Sequence, residues 1–113
     1  ELDGKDFKAL HFFAVADDNP LQIIAYTRLF QPGDYYQNAA IGRVVVHPDF
    51  RRKNIGDELI IKSIEQIENQ FKAHTIKIGA QTYLQKFYEK HGFIKVGEDY
   101  VEDGNPHIHM IRN

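Results

Sequence analysis

The amino-acid sequence predicts a single α/β domain built on a mixed, largely antiparallel sheet. Three observations predict it: strand-like apolar runs in the first part of the chain, a change to helical periodicity near the middle, and a return to strand-like runs before the C-terminus. The resulting order, three strands, helix, strand, helix and two strands, is typical of a layered α/β fold. With 113 residues, 42% of them hydrophobic, the chain is long enough to bury one continuous core.

The first three strands are predicted from apolar runs that end at turn-forming residues. Residues 11–16 and 21–30 are each followed by a cluster of Asp, Asn, Pro or Gly, so we expect them to pair as an antiparallel hairpin. Residues 39–47, which we call the valine strand, contain three consecutive valines and are followed by Pro48. Such a run is typical of a central strand that is covered on both faces.

A helix is predicted from Asn54 to about Lys72, where the apolar period changes from two to near 3.6. Its buried face is predicted at Ile60, Ile64, Ile67 and Phe71. The charged residues between them are expected to be solvated. Downstream, the pattern predicts strands at residues 75–80, 93–101 and 107–111, a short helix at 84–91 that ends at Gly92, and a turn at 102–106.

Composition excludes several classes of function. The chain has no cysteine, which excludes disulfide scaffolds, thiolate metal sites and cysteine nucleophiles. A formal net charge of −2 argues against general nucleic-acid binding. No apolar run approaches the roughly 20 residues that span a bilayer, and the acidic start of the chain is unlike a signal segment. We therefore expect a cytoplasmic protein that binds neither membranes nor nucleic acid.

The junction between the valine strand and the central helix predicts an anion site. Arg51, Arg52 and Lys53 stand just before the helix start, where free N–H groups and the positive end of the helix dipole converge. Gly56 would let the main chain approach a phosphate with no β-carbon in the way. A pyrophosphate fits this pattern, but a solvated turn has the same residues, so a second motif is needed.

The second motif is Phe87-Tyr88-x-x-x-Gly92-Phe93, which follows Ala80-Gln81. Together with Arg51-x-x-Asn54-x-Gly56, it resembles the paired signatures of the GNAT superfamily of N-acetyltransferases. Residues 41–46, 79–81 and 102–110 are similar to the ElaA-type branch of that superfamily. The resemblance extends over nearly the whole chain, from about residue 1 to residue 111.

The resemblance implies the fold and the cofactor site. It implies one domain over residues 1–113, with helices on both faces of the sheet and acetyl-CoA in a gap where the valine strand and residues 75–80 splay apart. It also implies that an N-terminal strand and the first helices of the family are missing from this chain. The residues implied to contact acetyl-CoA are Val44, Val45, Val46, Arg51, Arg52, Lys53, Asn54, Ile55, Gly56, Asp57, Gln81 and Tyr88. Asn54 replaces a family glycine, and we expect it to adopt the same left-handed geometry.

The implied reaction is direct transfer of an acetyl group from a thioester to a primary amine. It needs a polarised carbonyl, a proton for the departing thiolate, and a base for an amine whose ordinary pKa is about 10.4. Tyr88 occupies the position of the family's general acid, and the main-chain N–H of Val46 is the expected oxyanion donor. The lack of cysteine favours direct transfer over a covalent acyl-enzyme.

The base stays open at this stage. Glu102, Asp103 and His107 lie close together on and after the last predicted turn, His47 follows the valine strand, and each of the four could act through water. Each also has a simpler interpretation, the two acids as turn formers and His107 as a partly buried strand residue. His107 and His109 share one strand face, but no third ligand accompanies them, so no metal site is predicted. The other histidines considered, His11, His74 and His91, are predicted to lie at the surface or at strand edges.

The acceptor is open as well. The aromatic residues Tyr26, Phe30, Tyr35 and Tyr36 either line an acceptor pocket or pack the core, and the loop at residues 31–38 is the expected acceptor-side wall. The leading function is an acetyl-CoA-dependent N-acetyltransferase acting on a primary amine. The alternative is a non-catalytic module of the same fold that binds CoA or a partner protein. Pairing of edge strands into a homodimer is a further expectation.

Overall fold

The computed structural model describes residues 9–51 and 54–113. Its strands are β1 (Leu10–Ala16), β2 (Asn19–Phe30), β3 (Ala39–Val46), β4 (Ile76–Gln81), β5 (Ile94–Glu102) and β6 (Asn105–Arg112). Its α-helices are α1 (Ile55–Phe71) and α2 (Gln85–Glu89), and 3-10 turns at Pro48–Phe50 and Thr82–Leu84 precede them. Every element predicted from the sequence is present, with ends that differ by at most two residues.

The strands form one sheet in the order β1-β2-β3-β4-β6-β5. β3 and β4 run parallel and are connected through α1, whereas every other neighbouring pair is antiparallel. β6 lies between β4 and β5, so the last hairpin folds back onto the middle of the sheet. The predicted mixed, largely antiparallel sheet is confirmed.

The last hairpin closes through a two-residue turn. Asp103 and Gly104 have φ angles of 52° and 77°, the left-handed pair that matches the twist of the flanking strands. The turn sets Glu102 opposite Asn105, and β6 then pairs His107 with Gln81 at the end of β4. Residues of the last hairpin therefore lie beside the C-terminal end of β4.

Both helices pack on one face of the sheet. Ile60, Ile64 and Ile67 of α1 and Tyr88 of α2 belong to a single buried cluster with residues of β3, β4 and β6. The expectation of helices on both faces is wrong for the part of the chain that the structure describes. The physical reason is that side chains alternate between the two faces of a strand. On β4, the apolar side chains of Ile76, Ile78 and Ala80 face the helices. The polar or small residues Lys77, Gly79 and Gln81 face the other side, which offers a helix little apolar surface to cover.

The valine strand is buried on both faces only in its first half. Ala39, Ala40 and Ile41 are buried, whereas Val45 is 52% exposed. The expectation that all of it is covered on both faces is wrong. Val44 packs against the core beneath α1, and Val45 faces the side of the sheet that no described helix covers.

Candidate active site

The centre of the site is a gap between β3 and β4. The two strands pair only through Ala39 with Ile76 and Ala40 with Lys77, near their N-terminal ends. Beyond these pairs they diverge and leave a cleft of about 660 Å³, lined by residues 41–44 on one side and 78–81 on the other. The splayed sheet expected from the sequence is therefore present at the expected strands.

A one-residue bulge shapes the β3 side of this gap. Arg43 has a left-handed φ of 51°. The register between β2 and β3 shifts between Tyr26 and Arg28, where β3 has one residue more than β2. The Thr27 hydroxyl donates a hydrogen bond to the Gly42 carbonyl at 2.8 Å and so fixes the bulge from β2. Such an extra residue bends a strand and changes where the main chain beyond it points.

Beyond the bulge, alternate peptide groups of β3 face the gap. The His47 N–H donates to the Ile24 carbonyl at 2.7 Å. Hydrogen-bonded and non-hydrogen-bonded pairs alternate along an antiparallel ladder, so the N–H and C=O of Val46 point away from β2. The same alternation turns the main chain of Val44 to the gap and that of Val45 to β2. Val44 therefore presents a donor and an acceptor like those of a sheet edge, and Val46 presents its N–H, because the Val46 carbonyl accepts from Arg51 Nε.

The connection from β3 to α1 is the turn in which the sequence predicts an anion site. Arg51 Nε donates to the Val46 carbonyl at 3.1 Å, which anchors the turn to the end of β3. Asn54 has φ 58° and ψ 22°, so its expected left-handed conformation is confirmed. The Glu58 N–H donates to the Asn54 carbonyl at 3.1 Å, and the three N–H groups before it, of residues 55–57, precede the first intrahelical bond. Arg52 and Lys53, also expected here, lie outside the described residues.

The first turn of α1 rests on α2. A β-carbon on Gly56 would lie 3.5 Å from Cζ of Phe87, which is ordinary contact distance. Asp57 Oδ1 lies 2.8 Å from His91 Nε2 and 3.1 Å from Lys90 Nζ. The hydrogen bonds to His91 and then to Lys90 lower the pKa of Asp57, so its carboxylate is ionised and already paired. The Asp57 side chain is thus directed toward α2.

Tyr88 lies on α2 at the edge of the cleft. It is 6% exposed, and its ring meets Phe87 and Phe93 edge-on, with centroids 5.1 and 5.9 Å away. Burial, with a smaller contribution from Tyr83, raises the pKa of Tyr88 to about 12. The hydroxyl therefore keeps its proton at neutral pH, as a proton donor must. Gln81, another implied cofactor contact, also lines the cleft.

The opposite mouth of the cleft is aromatic. The Tyr100 ring stacks on His109 with centroids 4.4 Å apart, and Tyr36 meets the edge of the same imidazole at 5.7 Å. Both hydroxyls reach Gly79, where a β-carbon would lie 2.6 Å from Tyr100 Oη and 3.2 Å from Tyr36 Oη. Burial raises the pKa of both tyrosines, and burial followed by Lys77 lowers that of His109. These groups are therefore uncharged at neutral pH.

Three of the four base candidates line this part of the cleft, in different settings, whereas His47 accepts a hydrogen bond from the Asp49 N–H at 3.1 Å. Glu102, Asp103 and His107 all line the cleft. His107 is 9% exposed, and its Nδ1 lies 2.9 Å from the Asn105 carbonyl oxygen. A carbonyl only accepts, so Nδ1 carries the proton and Nε2 carries the lone pair of the neutral ring. Glu102 and Asp103 are both exposed, and Asp103 occupies the left-handed position of the turn.

A comparison with protein families identifies the domain. The model of the acetyltransferase (GNAT) domain matches residues 6–113. The chain belongs to the GNAT family. ElaA of Escherichia coli is 35% identical over 114 residues, which are 99% of this chain and 72% of ElaA. The resemblance to an ElaA-type GNAT domain is confirmed.

Solved structures of GNAT proteins show the same fold. The crystal structure of E. coli ElaA superposes with a TM-score of 0.87 at 35% identity, over 100% of this chain and 75% of that one. An acyl-CoA N-acyltransferase from Pseudomonas aeruginosa superposes with a TM-score of 0.81 at 34% identity, over 91% of this chain and 67% of that one. Both are longer than this chain.

Several contacts in this GNAT domain have no counterpart in the sequence analysis. The prediction that His91 lies at the surface is wrong: its side chain is 9% exposed because it packs between Asp57 and Phe87. Tyr100 was not singled out, and its approach to Gly79 depends on the pairing of β5 with β6. A glycine inside a strand is a signal of close approach and could have indicated this contact.

The four aromatic residues considered for the acceptor pocket differ in whether they line the cleft. Tyr35 and Tyr36 line the cleft, so the loop at residues 31–38 contributes to its wall. Phe30 is fully buried with its ring 5.0 Å from that of Tyr35, and Tyr26 lies with its hydroxyl 2.6 Å from His11 Nδ1. Only the two consecutive tyrosines therefore belong to the site.

Within residues 9–51 and 54–113, no group of three or more His, Cys, Asp or Glu side chains is arranged to hold a metal ion. In the same part of the chain, neither helix combines the length and apolar character that crossing a membrane requires.

Proposed function

We propose that this GNAT domain is an acetyl-CoA-dependent N-acetyltransferase that transfers the acetyl group directly to a primary amine. One observation carries the proposal: Tyr88 and His107 line the same cleft where β3 and β4 diverge, and the alternation along β3 turns the Val46 N–H away from β2. A thioester lying in the gap would therefore be reached by an oxyanion donor, a proton donor and a base. The name of the P. aeruginosa neighbour, an acyl-CoA N-acyltransferase, supports the same class of donor.

The residues that face the gap suit acetyl-CoA. Val44 and Val46 would pair with the amides of the pantetheine arm as a neighbouring strand does. The N–H groups of residues 55–57 would bind the pyrophosphate at the positive end of α1. Arg51, Arg52 and Lys53 add positive charge to this turn, and Gln81 would contact the arm from β4.

The reaction assigns one role to each of three groups. The amine nitrogen attacks the thioester carbonyl, the new C–N bond forms, and the C–S bond breaks. The Val46 N–H stabilises the negative charge on the carbonyl oxygen during this exchange. Tyr88 gives its proton to the departing sulfur, and the proton lost by the amine goes to the base.

His107 is the base that the geometry favours. The Asn105 carbonyl holds the proton on Nδ1 and leaves Nε2 able to accept one, the arrangement that a neutral histidine base needs. Burial is the main cause of the raised pKa of Tyr36 and of Tyr100, and the negative charge of nearby Glu102 adds to it. Glu102 would attract an ammonium group to this mouth before His107 removes the proton.

Calorimetric titration tests the binding half of the proposal. Acetyl-CoA is expected to bind with micromolar affinity, dephospho-CoA similarly, and pantetheine, which lacks the pyrophosphate, much more weakly. Equal affinity for acetyl-CoA and pantetheine would contradict the assigned turn. No binding of any of the three would contradict the acetyl-CoA site itself.

Release of free thiol tests the catalytic half. Acetyl-CoA is offered with putrescine, spermidine, tyramine, an aminoglycoside and a lysine-containing peptide. Turnover is expected with at least one amine, and His107→Gln should lower it by about 10²-fold or more, the range typical of general base catalysis. His74→Gln, in an exposed loop, is the matched control. Tight acetyl-CoA binding without thiol release would instead favour the non-catalytic CoA-binding module.

A further inference from the structure

Asp57 and His91 join the two helices that frame the proposed donor site. Asp57 belongs to the first turn of α1, and its Oδ1 lies 2.8 Å from Nε2 of His91, two residues beyond α2. The His91 side chain is 9% exposed and that of Asp57 is 29% exposed. A charge-assisted hydrogen bond with this burial holds its two partners more firmly than a surface ion pair.

His91 is itself fixed relative to Tyr88. Its N–H donates to the Tyr88 carbonyl at 2.9 Å, and its carbonyl accepts from Arg112 Nε at 2.8 Å. Arg112 lies on β6, so the end of α2 is tied to the sheet as well as to α1. A displacement of the His91 ring would therefore be transmitted to the main chain that carries Tyr88.

The Phe87 ring completes the link. It lies beneath Gly56, with its centroid 5.1 Å from that of Tyr88 and 5.4 Å from that of His91. A β-carbon on Gly56 would also lie 4.0 Å from Cγ2 of Val46. Phe87 thus contacts the first turn of α1, Tyr88 and His91, and the Val46 side chain lies against the same turn.

We propose that Asp57 and His91 are positioning residues that hold Tyr88 in register with the first turn of α1. The inference rests on the proposed function and adds a role that the motifs do not assign. It also accounts for an acidic side chain in an anion-binding turn: Asp57 is paired with His91 and Lys90, which offsets its repulsion of a pyrophosphate. The turn's main-chain N–H groups are then left to bind the ligand.

Substitutions at His91 test the role. His91→Gln keeps a side-chain N–H donor, whereas His91→Phe keeps a ring and loses the donor. With acetyl-CoA and the fastest amine of the panel above, His91→Phe should lower kcat by about 10- to 100-fold, as expected for a misplaced catalytic group, with KM for acetyl-CoA changed much less. His91→Gln should restore most of kcat, and His74→Phe should leave it unchanged. Equal kcat for His91→Phe and wild type would overturn the proposal.

A double substitution separates positioning from general stabilisation. If His91 acts through Tyr88, adding His91→Phe to Tyr88→Phe should reduce kcat little further. Full additivity of the two effects would show that His91 does not act through Tyr88 and would overturn the proposal. Asp57→Asn, which keeps the Oδ1 acceptor, should behave like His91→Gln in this comparison.

Amide hydrogen exchange gives a readout that needs no turnover. Residues 85–93 should exchange faster in His91→Phe than in wild type or His91→Gln, with melting temperatures recorded to confirm that each variant is folded. Unchanged exchange in the folded His91→Phe variant would overturn the link even if no amine reacts. Slower exchange in wild type than in His91→Phe, together with no binding of acetyl-CoA, would support the link between the helices and contradict the proposed function.

Discussion

The hydroxyl oxygen of Tyr100 lies 2.6 Å from the point that a β-carbon on Gly79 would occupy, on the face of β4 that turns away from α1. Real β-carbons essentially never have a neighbour so close, so Gly79→Ala must displace the Tyr100 ring and, with it, the stack on His109. We expect Gly79→Ala to lose about 1–3 kcal/mol of unfolding free energy, as overpacked sites do. It should also lower amine turnover and leave acetyl-CoA affinity unchanged.

Denaturant melts and calorimetry check this prediction. Gly42→Ala is the matched control, because a β-carbon there would have its nearest neighbour, in the Phe30 ring, at 3.5 Å. Equal stability losses for the two variants would contradict the steric argument.

Tyr88→Phe should separate catalysis from binding. The phenyl ring preserves the buried contacts with Phe87 and Phe93 and removes only the hydroxyl. We expect the rate of thiol release to fall by about 10²-fold, a typical contribution of general acid catalysis, while the Kd for acetyl-CoA stays nearly constant. An unchanged rate would remove Tyr88 from the mechanism.

The same variant should alter stability at alkaline pH. The pKa of Tyr88 is about 12 in the folded chain and about 10 in the unfolded chain. Since the folded state favours the protonated form, this contribution is complete below pH 10 and is lost as the pH rises toward 12. Unfolding free energies measured from pH 8 upward should therefore fall less steeply for Tyr88→Phe than for wild type. Parallel curves would show that Tyr88 is not responsible.

Gly56→Val should abolish acetyl-CoA binding. The Phe87 ring already lies at contact distance from a β-carbon at this position, so the branched methyl groups would push against it or against a bound phosphate. Gly56→Ala adds only a β-carbon at ordinary contact distance and should retain binding. Calorimetric titration of both variants with acetyl-CoA distinguishes the two cases; persistent binding by Gly56→Val would place the phosphate elsewhere.

Asp57 should stabilise the fold above about pH 4 and lose this contribution in acid. Hydrogen bonds to His91 and Lys90 lower its pKa in the folded chain below the ordinary value of 3.8. A lowered pKa gives a contribution that is present above about pH 4 and is lost as the pH falls through the folded-state value. Urea denaturation from pH 6 down to pH 3 should show a shallower decline for Asp57→Asn than for wild type. Glu65→Gln, on the exposed side of α1, should keep the wild-type slope.

The elements of the fold were predictable because their signals are local. The apolar spacing of Ile60, Ile64 and Ile67 marks the buried face of α1, and all three are buried. The left-handed Asn54 followed from the motif, because asparagine tolerates that geometry better than most residues. Turn residues likewise marked the ends of most strands.

The contacts that complete the site were not predictable because they join distant parts of the chain. His91 looks like a surface residue until α2 packs beside the first turn of α1, 34 positions earlier. The bulge at Arg43 has no sequence signal, since arginine does not favour a positive φ. Choosing His107 among the base candidates required the position of the Asn105 carbonyl, which the tight turn of the last hairpin sets.

The divergence of β3 from β4 places an unfinished sheet edge in the interior of a six-stranded sheet. Proteins usually keep such edges at the periphery and protect them there. In the proposed function the acyl donor itself completes the hydrogen bonding, so the folded state gains stability with donor concentration, about 2.7 kcal/mol at a hundredfold excess over Kd. The lifetime of the domain against unfolding and proteolysis would then follow the supply of its own substrate.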